Sequence, residues 1–259
     1  MESLIQSPCG YFDKKTEEAE LYLFPSVEDA ENAMFGEGET AQLSAFDYFL
    51  AKGFRRNGAY LYREVCSSCR KCVPIRIRVS DYKFSKSERH LLKKNADITV
   101  DATWEKSELV SNEKVMLMRE YATRHKDSPR SFEETRKLLL NMNGLLGDDG
   151  ETELEKPIHG GTMNIDYRLS GRLVGVSVID YGLISMSSNY FYYSVEEAMM
   201  KRSLGSFSIL KEIEMRWRGV LLCPFYYLGY WISDCRKMSY KSRFKPHELF
   251  VDGTWSVVR

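Results

Sequence analysis

Leu173-Val174-Gly175-Val176-Ser177-Val178-Ile179-Asp180 is rich in β-branched residues and reads as a strand, with Ser187 to Tyr193 as its hairpin partner. Leu204, Phe207, Leu210, Ile213 and Trp217 then recur on one helical face that is expected to stop at Gly219. Phe225-Tyr226-Tyr227-Leu228-Gly229-Tyr230-Trp231-Ile232 is a further strand. Hairpin, helix and strand in this order predict an α/β unit in which the helix N-terminus faces a ligand's phosphates.

Upstream, Glu113 to Arg124 and Ser131 to Met142 carry apolar residues at helical spacing, and Ser131 with Glu134 forms a capping box. The acidic stretch Asp148 to Glu155 is nearly free of apolar residues and predicts a mobile surface loop between the helical and β-rich segments. Two lobes are expected: residues 1–100, containing most of the cysteines, and a catalytic lobe over residues 101–259. No apolar run approaches the roughly 20 residues that span a bilayer. Met1 to Gln6 lacks the basic and apolar regions of a secretory signal, so a cytoplasmic protein is expected.

A formal net charge of zero hides a segregation of sign. Residues 1–40 hold ten acids and two bases, whereas residues 52–94 hold thirteen bases and three acids. Residues 200–245 hold ten bases and three acids, interleaved with aromatic residues. Such a mixture suits phosphates and stacked bases and points to an RNA partner, the alternative being solvated faces beside aromatic core.

Cys66, Cys69 and Cys72 lie three residues apart, so three thiolates on one turn are placed to converge on zinc or an iron-sulfur cluster, with Cys9 as the fourth ligand. The other reading is a cysteine-rich turn that folds without an ion. Cys223 and Cys235 have apolar or aromatic neighbours and read as packing residues.

Arg202-Ser203-Leu204-Gly205-Ser206 resembles the pyrophosphate loop of GNAT acetyltransferases, placing Ser203 and Gly205 at the ligand. A wider resemblance covers nearly the whole chain. Gly53-Phe54-Arg55-Arg56-Asn57-Gly58, Tyr62-Arg63, the cysteine cluster, Pro74-Ile75-Arg76-Ile77, Phe84-Ser85-Lys86-Ser87, Lys93-Lys94-Asn95 and Arg124-His125 carry it in the first half. Asp180, Ser203-Leu204-Gly205, Leu228 to Ile232, Met238-Ser239-Tyr240-Lys241 and Phe244-Lys245-Pro246 continue it. The sequence resembles the aminoacyl-tRNA protein transferases of the arginyl/leucyl type. That resemblance implies a GNAT-like α/β acyltransferase fold with an N-terminal cysteine-containing lobe. It also implies transfer of arginine or leucine from aminoacyl-tRNA to the α-amine of proteins beginning with Asp or Glu, which marks them for N-terminal degradation. Cys9-Gly10-Tyr11 is closer to the arginyl-transferring branch. Phe191-Tyr192-Tyr193-Ser194 replaces the family's usual Phe-Tyr-Asp-Pro, so a carboxylate is missing there.

The chemistry assigns further expectations. The ester is already activated and an α-amine has a pKa near 7.7–8.0, so positioning supplies most of the catalysis and no cofactor is required. Asp180 is placed to orient or deprotonate the amine, or else to form a structural salt bridge. Tyr240 and Lys241 are placed to stabilise the oxyanion or protonate the leaving ribose oxygen, a phosphate contact being the alternative for Lys241. Arg56 and Arg76 are expected to bind the acceptor's acidic side chain or RNA, and Tyr230 to line the substrate site. Lys86, Arg89, Lys93 and Lys94 are expected to face the acceptor stem. The competing function is an inactive tRNA- or RNA-binding module.

Overall fold

The computed structural model describes residues 2–124, 130–217 and 223–259, so Gly219 and His125 lie outside the described residues. The chain begins with the hairpin β1 (Glu2–Pro8) and β2 (Thr16–Leu23), followed by α1 (Val27–Asn32) and α2 (Glu39–Ala51). β3 (Arg55–Asn57) and β4 (Tyr60–Glu64) complete a four-stranded antiparallel sheet in the order β1-β2-β4-β3. Phe46 and Leu50 of α2 pack with Phe24, Phe54 and Leu61 beneath it.

β5 (Val73–Arg78) then enters a second sheet. It is followed by α3 (Lys86–Lys94), β6 (Ile98–Thr103), α4 (Lys106–Leu109), α5 (Asn112–Ala122), α6 (Phe132–Met142), β7 (Thr162–Leu169), β8 (Arg172–Tyr181) and β9 (Ser185–Tyr193). After α7 (Glu197–Met200) and α8 (Leu204–Trp217) come β10 (Phe225–Trp231), α9 (Arg236–Ser239), β11 (His247–Val251) and β12 (Thr254–Val258). The eight strands run β12-β11-β5-β10-β9-β8-β7-β6, so strands on both sides of residue 100 share one sheet. The expected α/β class, with its hairpin, helix and strand, is what the chain adopts.

Every pairing in the large sheet is antiparallel except β9 with β10. A parallel pair needs a long crossover, and α8 supplies it. Its Leu204, Phe207, Leu210 and Ile213 join Ile77, Tyr82, Tyr167 and Tyr226 in one buried cluster. Each such side chain contributes about 1.5–3 kcal/mol relative to exposure, so the face as a whole anchors the helix. Ser131 caps α6 as expected: its hydroxyl accepts from Glu134 N at 3.2 Å and Glu134 accepts from Ser131 N at 2.7 Å. The acidic loop is exposed but tied, with Asp149 accepting from the Glu151 and Thr152 amides and Glu153 gripped by Arg136. Among the described residues no helix is long and apolar enough to cross a membrane.

Two irregularities shape the sheet. β9 carries one extra residue, Asn189, where its register against β8 shifts between Val178 and Ile179. β10 carries one extra residue between Tyr227 and Tyr230, where Gly229 adopts φ +82°. A glycine is required there because L side chains rarely adopt that conformation. β9 and β10 pair only from Phe225–Ser185 to Tyr227–Ser187, and beyond these bulges they have no further paired residues.

Glu212 lies wholly inside the core, accepting hydrogen bonds from Tyr226, from Tyr167 at 2.8 Å and from Ser177 at 2.5 Å. Burial raises its carboxyl above the ordinary value despite the three hydroxyls. The unfolded chain ionises near pH 4.3, so deprotonation penalises the folded state as pH rises above that value. Glu212→Gln is expected to remove this penalty, raising Tm at pH 8 relative to pH 4.5 when compared with wild type; thermal unfolding at the two pH values measures it.

Candidate functional site

The parted ends of β9 and β10 form the walls of a cavity of about 420 Å³. Ser188, Asn189 and Phe191 line one side, Leu228 the other, and the first turn of α8 enters through Gly205 and Ser208. The first amides of a helix have no intrahelical acceptor, so this end favours anionic groups. A Cβ added at Gly205 would touch only Phe191 at 4.0 Å, so the missing side chain leaves its space to the cleft. Lys237, Met238, Tyr240 and Lys241 close the cleft from α9 and the turn after it, and Tyr121 and Arg124 face them. Three basic side chains, Arg124, Lys237 and Lys241, line the cleft, and among the described residues no carboxylate does.

Lys241 Nζ donates to the Tyr230 carbonyl at 2.9 Å and to Met238 Sδ at 3.6 Å. Two acceptors match the two N–H groups of an uncharged amine and leave its lone pair unused, whereas an ammonium has a third donor. Desolvation, aided by the positive charge of Arg55, brings Lys241 down to about 7. Burial raises the phenol of Tyr240, which therefore remains a proton donor at neutral pH. Of the three residues expected to serve the chemistry, Tyr240 and Lys241 stand in the cleft, as does Gly205, whereas Asp180 does not line it. Ser203 does not line it; its carbonyl starts α8 by accepting from the Ser206 and Phe207 amides.

Asp180 lies behind the cleft. It is 1% exposed and meets Arg56 with two hydrogen bonds, Nε to Oδ2 at 2.9 Å and Nη2 to Oδ1 at 2.7 Å. Thr162 Oγ1 and Asn189 Nδ2 each donate to it at 2.9 Å. Burial alone would raise the carboxyl, but Arg56 and His159 outweigh it and hold it well below the usual range. A carboxylate so occupied is a poor proton acceptor, and the geometry is that of a structural salt bridge. Arg56 is equally engaged, its remaining donors going to the Gly58 and Met142 carbonyls. Arg76 is sandwiched between Phe225 and Trp255, bonds Glu248 at 2.5 Å and Tyr227 at 2.8 Å, and is 9% exposed. Neither arginine reaches the cleft, which corrects the expectation that they form a substrate fork. Sequence reasoning named Arg124 within the family resemblance but gave it no role; its guanidinium bonds the Tyr193 hydroxyl and stacks at 5.2 Å over that ring. Its signal was a basic residue among aromatics just past a helix end.

Tyr230 is buried outside the cleft. Its hydroxyl accepts from Glu64 N at 3.2 Å and its carbonyl holds Lys241, so it separates the cleft from a second cavity. That cavity, about 450 Å³, is lined by Cys9, Cys66, Cys69 and Cys72. Among the described residues no two cysteines form a disulfide, and no three His, Cys, Asp or Glu side chains stand close enough to hold a metal ion. Burial and the nearby Glu64 push the Cys72 thiol up to about 12, and burial raises Cys66. As placed, the Cys66 and Cys72 thiols favour their protonated forms, which suit packing better than metal ligation.

Lys86, Arg89, Lys93 and Lys94 are exposed on α3, whose N-terminus Ser85 caps. Lys94 donates to the Lys201 carbonyl at 2.6 Å, and Asn95 to the Arg202 carbonyl at 3.2 Å. The basic helix therefore abuts the entry to α8.

A family model described as arginine-tRNA-protein transferase, N terminus, matches residues 7–90, and its C-terminus counterpart matches residues 113–251. An aspartate/glutamate leucyltransferase of Saccharophagus degradans is 32% identical over 96% of this chain and 92% of its own. A protein of the same name from Pseudomonas putida is 36% identical over 78% of each chain. Among solved structures, FemX aligns with a TM-score of 0.42 at 9% identity, covering 92% of this chain and 82% of its own. The fold described above rests on the chain's own topology rather than on that alignment.

Removing the charge of Asp180 leaves an isolated buried guanidinium. Asp180→Asn is expected to cost about 3–5 kcal/mol in urea unfolding at pH 7. The carboxyl's native value lies below its unfolded value near 3.9, so its stabilisation is present above about pH 4 and lost as pH falls. Asp180→Asn should accordingly show less of the wild type's acid-induced loss of stability.

Proposed function

Since the chain belongs to the arginine-tRNA-protein transferase family and is an aminoacyl-tRNA protein transferase, we propose that it carries leucine from leucyl-tRNA to the α-amine of polypeptides beginning with Asp or Glu. The observation that carries this reading is the cleft between β9 and β10, with three basic side chains, no carboxylate among the described residues, and a helix N-terminus at its edge. An arginyl donor would find no carboxylate there. Phe191, Ile209, Leu228 and Met238 instead present apolar surface suited to leucine. The names of the relatives point the same way.

In this reading the terminal adenosine and its phosphates lie at the start of α8, and the tRNA stem extends over Lys86, Arg89, Lys93 and Lys94. Tyr240 donates to the carbonyl oxygen as it gains charge. Lys241 accepts the proton of the attacking amine and returns it to the departing ribose oxygen. Arg124 takes the acceptor's side-chain carboxylate: Tyr193 stands where the resembled pattern has an aspartate, so the guanidinium faces a phenol and keeps its charge for a ligand. Asp180 and Arg56 hold the scaffold. The transfer requires no cofactor, because the ester supplies the driving force. Zinc or an iron-sulfur cluster at Cys9, Cys66, Cys69 and Cys72 would have to displace the protons that burial favours on Cys66 and Cys72, and metal analysis of anaerobically purified protein tests for either. A tRNA substrate places the activity in the cytoplasm, where acceptors so extended become substrates for N-terminal degradation.

The test charges tRNA separately with labelled leucine, arginine, lysine and phenylalanine and offers peptides beginning with Asp, Glu or Ala. Leucine is expected to pass to the Asp and Glu peptides. Binding of tRNA without any transfer would favour the inactive RNA-binding module instead. Lys241→Met should lower kcat by about 10²–10⁴-fold at unchanged tRNA affinity.

Arg124→Gln is expected to raise KM for the Asp peptide at least tenfold while leaving the low Ala-peptide rate unchanged. Equal loss on both peptides would remove Arg124 from acceptor recognition.

A further inference from the structure

Arg55 stands beside Lys241, immediately behind the cleft, and neither the salt bridges nor the family resemblance gives it a role. It is 7% exposed, and among the described residues it forms no ion pair with a carboxylate. Its Nη2 donates to the Ser188 carbonyl on the cleft wall at 2.7 Å, and its Nη1 is buried without a hydrogen-bond partner. A buried guanidinium without a counter-charge is costly, and folding alone gives no reason to keep one. A Cβ added at Gly229 would lie 3.4 Å from Arg55 Nη2 and 3.5 Å from Lys241 Nζ, so one glycine separates the two bases.

The other groups around Lys241 do not offset this charge. Cys235 precedes α9, and Tyr240 adjoins Lys241. Beyond Arg55 lie the phenols of Tyr11, Tyr62 and Tyr230, each of which feels the charges of both Arg55 and Glu64. Across the cleft stand Arg124, Lys237 and the phenols of Tyr121, Tyr190 and Tyr193, with Glu212 behind Tyr240. No carboxylate hydrogen-bonds Lys241, whose two donated bonds go to a carbonyl and a thioether.

We propose that Arg55 is a positioning residue that keeps the Lys241 side chain an uncharged amine, ready to accept a proton from the attacking α-amine. The acceptor nitrogen bonds to the ester carbonyl carbon, and its proton moves to Lys241 Nζ. The bond from that carbon to the ribose oxygen then breaks, and the proton passes to the oxygen, which leaves as a hydroxyl. Lys241 ends uncharged. Desolvation and the field of Arg55 act on Lys241 in the same direction, and the second of these is removable by mutation. The proposal rests on the reading of Lys241 as proton acceptor.

The experiment measures the pH dependence of Lys241 acetylation by acetic anhydride, read by mass spectrometry of the full-length protein's peptides, in wild type, Arg55→Gln and Arg55→Lys. Thermal unfolding verifies that each variant is folded, and Arg55→Met replaces Arg55→Gln if the latter is not. The wild-type half-point is expected near pH 7, rising by one unit or more in Arg55→Gln and staying within half a unit in Arg55→Lys. Leucine transfer by Arg55→Gln at pH 7 should fall about fivefold or more and recover as pH rises towards 9, because a half-point moved from about 7 to about 8 lowers the free-amine fraction at pH 7 from about one half to about one tenth. An unchanged half-point in Arg55→Gln, or a loss of activity equal at all pH values, would overturn the proposal and leave Arg55 a structural residue. Full transfer activity of Lys241→Met would overturn the proton-acceptor reading itself; the half-point is measured without substrates, so the two failures are distinguishable.

Discussion

The bidentate pair between Arg56 and Asp180 is the constraint on which the rest of the structure depends. Two charges taken out of water are tolerated only when each finds the other in good geometry and the remaining hydrogen-bonding capacity is used. Here Thr162 and Asn189 complete the carboxylate, and the Gly58 and Met142 carbonyls complete the guanidinium. Meeting these requirements brings β3, the end of α6, β7, β8 and β9 to one point. It therefore joins the four-stranded sheet to the eight-stranded one. The neighbouring arginine on the same short strand reaches the Ser188 carbonyl, so two consecutive side chains clamp the small sheet against the hairpin that walls the cleft.

Asn189 connects this clamp to the site. It is the extra residue of β9, it donates to Asp180, and it lines the cleft. The bulge in β10 at Gly229 lies on the neighbouring strand. Together they end the parallel pairing after three residue pairs, and the gap becomes a cavity rather than a ladder. A continuous sheet would have consumed the backbone groups and the space that a ligand needs. The loss of a few strand hydrogen bonds is offset by the core face of α8, which fastens the crossover from one wall to the other.

The electrostatics of the two cavities differ. The cleft gathers basic side chains and, among the described residues, no carboxylate, and the cysteine cavity gathers thiols near Glu17 and Glu64. Burial in the first favours the uncharged amine of Lys241, and burial in the second favours protonated thiols. Desolvation acts against the charged form in both cases, so acids and bases move in opposite directions. That is why burial favours an uncharged amine at Lys241 and a protonated thiol at Cys72.

Much of the fold was legible from local pattern. β-Branched residues over Leu173–Asp180, the apolar face from Leu204 to Ile213, and the Ser131–Glu134 cap report on their own neighbours, and each lies where its sequence placed it. Lys241, Tyr240 and Gly205, singled out because ordered motifs surround them, line the cleft. The partners of charged side chains were not legible. Arg56 and Arg76 have the composition of a carboxylate fork, but their carboxylates, Asp180 and Glu248, lie 124 and 172 residues away in the chain. Arg124 and Arg55 look no different in sequence from the arginines that are paired internally. By itself, the sequence determined the α/β class, the hairpin, helix and strand, and the kind of chemistry a basic and aromatic segment can support. Only the tertiary structure decided which charges neutralise one another and which stay available. Secondary structure is set by neighbours along the chain, whereas a pKa or an unpaired charge is set by whatever the fold brings within a few ångströms.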